Sequence, residues 1–233
     1  MISRSSESGP ESRRARQRRE LVAEITAEAR RLLESGGRAA VGWRDIAGSV
    51  GLSPASMYTY FASLDDLFTE LILQTYGHLH ASIETTMAAF AAAPVEDRVL
   101  AGPLAYRRWA LANRGQFNLI FTDQISGYSA TANGPTVEAE VSVFRPIATA
   151  LTEALGADQT DLESGGPGLD RFIGLWGLLH GLTSLEVNHH LDWIDAGRTY
   201  EQQVRSYIDA LGVAPASDIA KRLNRLHPLR RGV

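Results

Sequence analysis

The 233-residue chain has no cysteine, which removes both disulfide staples and thiolate metal sites and fits a cytoplasmic protein. It has no apolar run of about 18 residues, so no membrane span and no membrane partner are expected. Its opening, MISRSSESGPESRRARQRRE, has no apolar stretch behind its charges and does not read as a signal peptide. Strand-like alternation and internal repeats are both missing. So are a phosphate-cradling Gly loop, a nucleophile elbow and H-E-x-x-H, which leaves no basis for an enzyme or a cofactor. His78 and His80, two apart on one helix, point different ways. Glu186 and His190 have a spacing that a metal could use, with His189 beside them. Such groups at a helix end are ordinarily solvated, so no metal is expected.

Charge is present but unevenly placed. The net charge is −4, yet residues 1–64 hold ten Arg against seven acids, a net +3, which leaves −7 for residues 65–233. A basic end and an acidic remainder imply that one end meets phosphate while the rest does other work. The length allows one large domain, or a small one followed by a larger one.

The stretch that organises the chain is VGWRDIAGSVGLSPASMYTYFASLDDLF, residues 41–68. Trp43 to Val50 reads as a short helix and Gly51 as the turn, where a positive φ is tolerated. Ser53 is the expected N-cap of a second short helix, with Pro54 at its first position. Ile46, Ala47, Val50, Leu52, Met57, Tyr58 and Phe61 can pack the pair together. Ser53, Ala55, Ser56, Thr59 and Tyr60 are then expected on or near the outer face, with no acid to repel phosphate.

Around this stretch every periodic segment is helical. Residues 1–11 are Ser, Glu, Gly and Pro rich and expected to be disordered. Arg13, Arg14, Arg16, Arg18 and Arg19 head a first helix whose stripe is Leu21, Val22, Ile25, Ala29, Leu32 and Leu33, ended by Gly36-Gly37. Beside a helix-turn-helix the Arg run is expected to touch backbone phosphate or the minor groove; a solvated helix start is the plainer alternative. Ser63-Leu64-Asp65-Asp66 resembles a capping box and opens a long helix that ends before Pro94 and spans roughly 40 Å. Further helices are expected at Val95–Asn113, Gln116–Phe121, Val137–Leu155 (bent at Pro146), Leu169–His190, Tyr200–Leu211 and Asp218–Leu226. Residues 122–135 read as a flexible loop, and Ser164 to Gly168 as a break.

Residues 15–72 resemble the DNA-binding domain of the TetR family of transcriptional regulators, through R-D-I-A, V-G-L-S, M-Y-T-Y-F and D-D-L-F in that order and spacing. Trp176-Gly177-Leu178-Leu179-His180-Gly181, with Tyr106-Arg107-Arg108 and Phe117 to Phe121 upstream, resembles the WHG-type ligand-binding domain of one TetR branch. The resemblance implies an all-α homodimer with an N-terminal three-helix helix-turn-helix DNA-binding domain and a larger C-terminal helical ligand-binding and dimerisation domain. The expected division is an arm at 1–12, the DNA-binding domain at 13–62, the effector-binding and dimerisation domain at 63–226, and a tail at 227–233. A small molecule bound to the C-terminal domain would release a palindromic double-stranded DNA operator, usually a repressed one.

Two positions depart from the family pattern. Gly42 stands where a Thr or Ser cap is usual, a loss of a few tenths of a kcal/mol. Leu64 replaces a customary phosphate-binding Lys, which should lower the salt slope by about 1 per lost contact. Arg44 and the Arg arm, Arg14 and Arg16 among them, are the expected compensation. The different-class alternative is a helical dimeric protein–protein interaction module that no longer binds DNA, and Leu64 is its best support.

The expected DNA-contacting set is Arg14, Arg16, Arg44, Ser53, Pro54, Ala55, Ser56, Tyr58, Thr59 and Tyr60. Ala55, Ser56 and Thr59 can meet base edges or thymine methyls, while Tyr58 and Tyr60 can offer hydroxyls to phosphate; core packing is the alternative for Tyr58. The reading helix carries no Arg, Lys, Asn or Gln, so bidentate base recognition from it is excluded and shape and water contacts gain weight. Two half-sites then require a two-fold dimer. The helices at 169–190 and 200–211 are its expected interface, with Phe172, Leu175, Leu179, Leu182, Leu185 and Glu186 along it. Gly174, Gly177 and Gly181 make sense where another backbone comes close. Tyr106, Trp109, Phe117, Phe121, Phe144, Phe172, Trp176 and His180 are the candidates to line an effector pocket with few charges, which suggests an apolar or aromatic ligand.

Overall fold

The computed structural model describes residues 12–122, 134–157, 165–216 and 218–226. All of the expected arm at 1–12 except Ser12, most of the expected loop at 122–135 and the tail at 227–233 lie outside these residues. Among the described residues there are ten α-helices, one 3-10 turn and no strand, which is the all-α class expected. They form two compact units, one ending at Leu71 and the other starting at Ile72.

The first unit holds α1 (Arg13–Gly36), the 3-10 turn Arg38–Ala40, α2 (Trp43–Ser49), α3 (Pro54–Met57) and the opening turns of α4 (Leu64–Ala89). The Ser12 hydroxyl accepts from the Ala15 amide at 3.2 Å and caps α1. Ile25, Ala29, Ile46, Ala47 and Met57 have no exposed surface and make the small core, each apolar side chain contributing about 1–3 kcal/mol. Tyr58, counted above among the packing residues, is instead 60% exposed and meets Trp43 edge-on at 5.9 Å. The reason is local: α3 stops at Met57, so Tyr58 begins a turn rather than the next helical position. Ser63 caps α4, accepting from the Asp66 amide at 3.1 Å, and Asp65 and Asp66 sit favourably in its first turn.

The second unit holds the rest of α4, then α5 (Val95–Ala112), α6 (Arg114–Phe121), α7 (Pro135–Ala154), α8 (Pro167–Val187), α9 (Ala196–Ala210) and α10 (Ile219–Leu226). Helix α5 is its axis, packed against α7, α8, α9 and α10 and buried on all sides from Val99 to Tyr106. At Gly102 a Cβ would stand 2.7 Å from Ile147, so the approach of α7 to α5 requires glycine there. The carbonyl of Pro103 accepts from the buried Tyr200 hydroxyl at 2.9 Å.

Several helix ends differ from expectation. Helix α6 begins at Arg114 and α7 at Pro135, where proline's missing amide costs nothing. Helix α9 begins at Ala196, because the Asp195 carboxylate accepts from the Arg198 amide at 2.9 Å. Helix α8 ends at Val187 rather than His190, since His189 takes φ +64° and turns the chain away. That end is clasped from α5 and α6. Arg107 donates to both Glu186 oxygens at 2.7 and 2.5 Å, with side chains only 16% and 13% exposed, and Arg114 donates to the Glu186 and Val187 carbonyls.

Candidate functional site

Gly51, with φ +70°, makes the turn of the helix-turn-helix, and the Ser53 hydroxyl accepts from the Ser56 amide at 3.2 Å, as its N-cap role requires. The Ser53 and Ser56 hydroxyls are 2.7 Å apart and hydrogen-bonded, so Ser56 is half-buried and turned toward the cap. Ser53, Pro54, Ala55, Tyr58 and Thr59 are exposed, while Tyr60 is half-buried. Arg18 explains Tyr60: its guanidinium lies 5.4 Å over the Tyr60 ring and donates to the Thr59 carbonyl at 2.9 Å. Arg14, Arg16 and Arg44 are exposed, and Arg16 pairs loosely with Glu20 at 4.0 Å. Glu28 ties α1 to α2. It accepts from Arg31 and from the Ser49 hydroxyl at 2.8 Å, and these bonds hold its carboxyl down at about 2.

In the second unit, seven of the eight candidate rings form one connected set. Tyr106 meets Phe117, Phe121 and Phe144 at 5.5 to 6.2 Å. Phe144 meets Phe172 and Trp176, and Trp176 meets His180, which stacks on Phe117 at 5.8 Å. Trp109 is buried and shares none of these ring contacts among the described residues. A cavity of about 600 Å³ opens between α7 and α8. Only Phe144, Phe172 and Trp176 of the candidates line it; Val141, Leu169 and Ile173 add apolar wall, and Glu140, Arg145 and Thr149 add polar groups. Tyr106 and Phe117 have no exposure and belong to the core.

The polar groups of this region are tuned by burial. The His180 imidazole is held below its usual range by desolvation and stands 3.2 Å from the Tyr106 hydroxyl, whose own pKa burial pushes well up. Glu140 is raised by desolvation, against a hydrogen bond from the Tyr76 hydroxyl that favours its ionised form. A second hollow, of about 540 Å³, lies along the other edge of α7 between His80, Arg98, Ser142, Arg145 and Thr149.

Two family models match. "Bacterial regulatory proteins, tetR family" covers residues 25–71, and "Tetracyclin repressor-like, C-terminal domain" covers residues 99–207, together more than half of the chain. The chain belongs to the TetR family.

Its TetR relatives include HTH-type transcriptional regulators of Mycobacterium tuberculosis (Rv1816) and Mycobacterium bovis (Mb1846). Each is 27% identical over 218 residues, covering 83% of this chain and 93% of the relative. The crystal structure of the regulatory protein SCO4313 is also 27% identical, with a TM-score of 0.71, covering 84% of this chain and 98% of that one. RolR, solved in complex with the ligand resorcinol, shares the fold at 14% identity and a TM-score of 0.54, covering 93% of this chain and 98% of that one.

A TetR-family chain is a helix-turn-helix transcriptional regulator and not an enzyme. Among its described residues no cluster of His, Asp or Glu could hold a metal, and no helix is long and apolar enough to cross a membrane. Glu186, expected to be solvated, is taken by Arg107 inside the regulator's own fold. Leu175 and Leu179, named above for the interface, have no exposure and pack within their own unit. The three glycines of α8 divide. Tyr207 donates to the Arg171 carbonyl at 2.8 Å, and its hydroxyl fills the place of a Cβ at Gly174. Gly177 and Gly181 face open space, with Ile173 and Leu185 46% and 42% exposed on the same helix.

The sequence pattern does not single out two residues that the structure places at these candidate sites, Arg18 and Glu140. Arg18 was one of five arginines in a run, and only its distance to Thr59 sets it apart. Glu140 carries no aromatic signal; its position one turn before Phe144 was the available clue.

Proposed function

We propose that this TetR-family chain is a ligand-responsive repressor, acting in the cytoplasm as a homodimer on a palindromic operator and released by a small, mainly apolar effector. The observation that carries this reading is the aromatic-floored cavity of about 600 Å³ between α7 and α8, a size suited to one small ligand. It lies in the region that matches the tetracycline repressor-like C-terminal domain. RolR, with resorcinol bound, supports a small aromatic ligand in this fold.

On the DNA side, Ala55, Ser56 and Thr59 approach base edges, Tyr58 and Tyr60 offer hydroxyls to phosphate, and Arg14, Arg16 and Arg44 supply charge. The mate packs on the outer faces of α8 and α9, where Gly177 and Gly181 leave backbone bare and Ile173 and Leu185 are exposed. The test is a gel shift on the DNA upstream of its own coding sequence at two salt concentrations, for the parent and a Ser56/Thr59/Tyr60 triple alanine variant. Salt-dependent binding that the triple variant loses while folded and dimeric is the expected result. Undiminished binding by the variant sinks the assigned reading face. No binding by the parent favours a protein-interaction module instead.

A further inference from the structure

The α7–α8 cavity contains one acidic group, and its surroundings single it out. Glu140 is half-buried on α7, one turn before Phe144, with the Tyr76 hydroxyl as its hydrogen-bond donor. Tyr76 is 5% exposed and rests edge-on against Phe121 at 6.0 Å, so the carboxylate is anchored from a packed side chain rather than from water. Among the described residues no Arg, Lys or His pairs with it. One carboxylate oxygen retains acceptor capacity beside the rings of Phe144, Phe172 and Trp176, whose faces attract positive charge.

Arg145 is the competing charge in the same cavity. It lies on the exposed edge of α7 and borders the second hollow as well as this one. An exposed guanidinium is hydrated already and gains little from a ligand, whereas a half-desolvated carboxylate without a cation gains much from one.

Resting on the proposed effector site, we infer that its ligand is a lipophilic cation: a flat aromatic body lying on Phe144, Phe172 and Trp176, with an ammonium group bonded to Glu140. The cation completes the coordination that Tyr76 begins, and the rings contribute both apolar burial and cation–π attraction. The aromatic floor sets affinity for the body, and Glu140 sets the sign of the charge that is accepted.

Three probes of one shape decide it: 2-naphthylmethylammonium, 2-naphthylmethanol and 2-naphthoate, titrated into the full-length protein by calorimetry at pH 7. The expected order is ammonium tightest, at least tenfold over the alcohol, and naphthoate weakest. In Glu140→Gln, checked for an unchanged melting curve, ammonium affinity falls at least tenfold while the alcohol changes less than twofold. Comparing the probes on the parent protein needs no variant, so a misfolded Glu140→Gln does not rescue the idea. Equal affinity for all three, lost in Trp176→Ala, overturns the charge assignment and leaves the effector site standing. Tightest binding of naphthoate, lost in Arg145→Ala, overturns it in favour of an anion. Binding of none of the three overturns the cation assignment, and failure of the upstream-DNA gel shift is the separate result that removes the regulator reading.

Discussion

The segment from Ser53 to Tyr60 and the wall of the α7–α8 cavity are held by opposite kinds of contact. The first is fixed by directional polar bonds: Ser53 on the Ser56 amide, Arg18 on the Thr59 carbonyl, and Glu28 on Ser49 behind them. The second is mainly tilted rings, Phe172, Phe144 and Trp176, backed by the buried Tyr106 with its hydrogen bond to His180, and the Tyr76 hydroxyl on Glu140 is the polar bond at the wall itself. Each polar bond is worth only about 1 kcal/mol net, but it fixes where a hydroxyl or a methyl points. Ring contacts are worth more through burial and tolerate small slides. A surface that must match a groove in register needs the first, and a pocket that must admit a guest needs the second.

The sharpest way to break this contrast is Phe117→Ala, which empties a ring site with no exposure between Tyr106, Phe121 and His180. A loss of about 3–5 kcal/mol in urea unfolding is expected. DNA affinity per folded molecule should stay within twofold; a loss below about 1 kcal/mol refutes the aromatic side of the comparison.

Arg18→Ala tests the polar side with a smaller effect. Because the side chain is exposed, unfolding should change by less than about 1 kcal/mol. Operator affinity by fluorescence anisotropy should fall about tenfold, or about 1.4 kcal/mol. The salt slope should not move, because Arg18 holds a carbonyl and a ring; a slope reduced by about 1 would make it a phosphate contact instead.

The smallest effect is a pH dependence. Burial places the folded His180 pKa below its unfolded value of 6.5, so the unfolded chain binds more protons in the window between them. This contribution is fully present above pH 6.5 and is lost as pH falls toward the folded pKa. Melting curves from pH 7.5 to 5 should show it in the parent and a shallower slope in His180→Gln. Identical slopes would mean that His180 titrates alike in the folded and unfolded protein, with no shift from burial.

Much of this was legible in the residues. Ser53-Pro54 and Ser63 announce helix starts by their own chemistry, and both hydroxyls accept the expected amides. The apolar pattern starts α9 four residues late because Ala196 to Thr199 carry no apolar stripe and Asp195 caps from outside the pattern. The same pattern runs α8 on to His190 because the left-handed turn at His189 has no glycine to mark it. Periodicity found the aromatic set but could not separate Tyr106, which is core, from Trp176, which is wall. That distinction depends on how α7 lies against α8, and spacing within either helix is silent on it.

The lodging of the Tyr207 hydroxyl in the vacancy beside Gly174 makes the merit of one substitution depend on another. Alanine at 174 should strengthen α8 by about 1 kcal/mol on its own account. With tyrosine at 207 it must first evict that hydroxyl and break its bond to Arg171, which cancels the benefit. After Tyr207→Leu the same Gly174→Ala becomes favourable, so a lineage can cross from one pairing to the other in only one order.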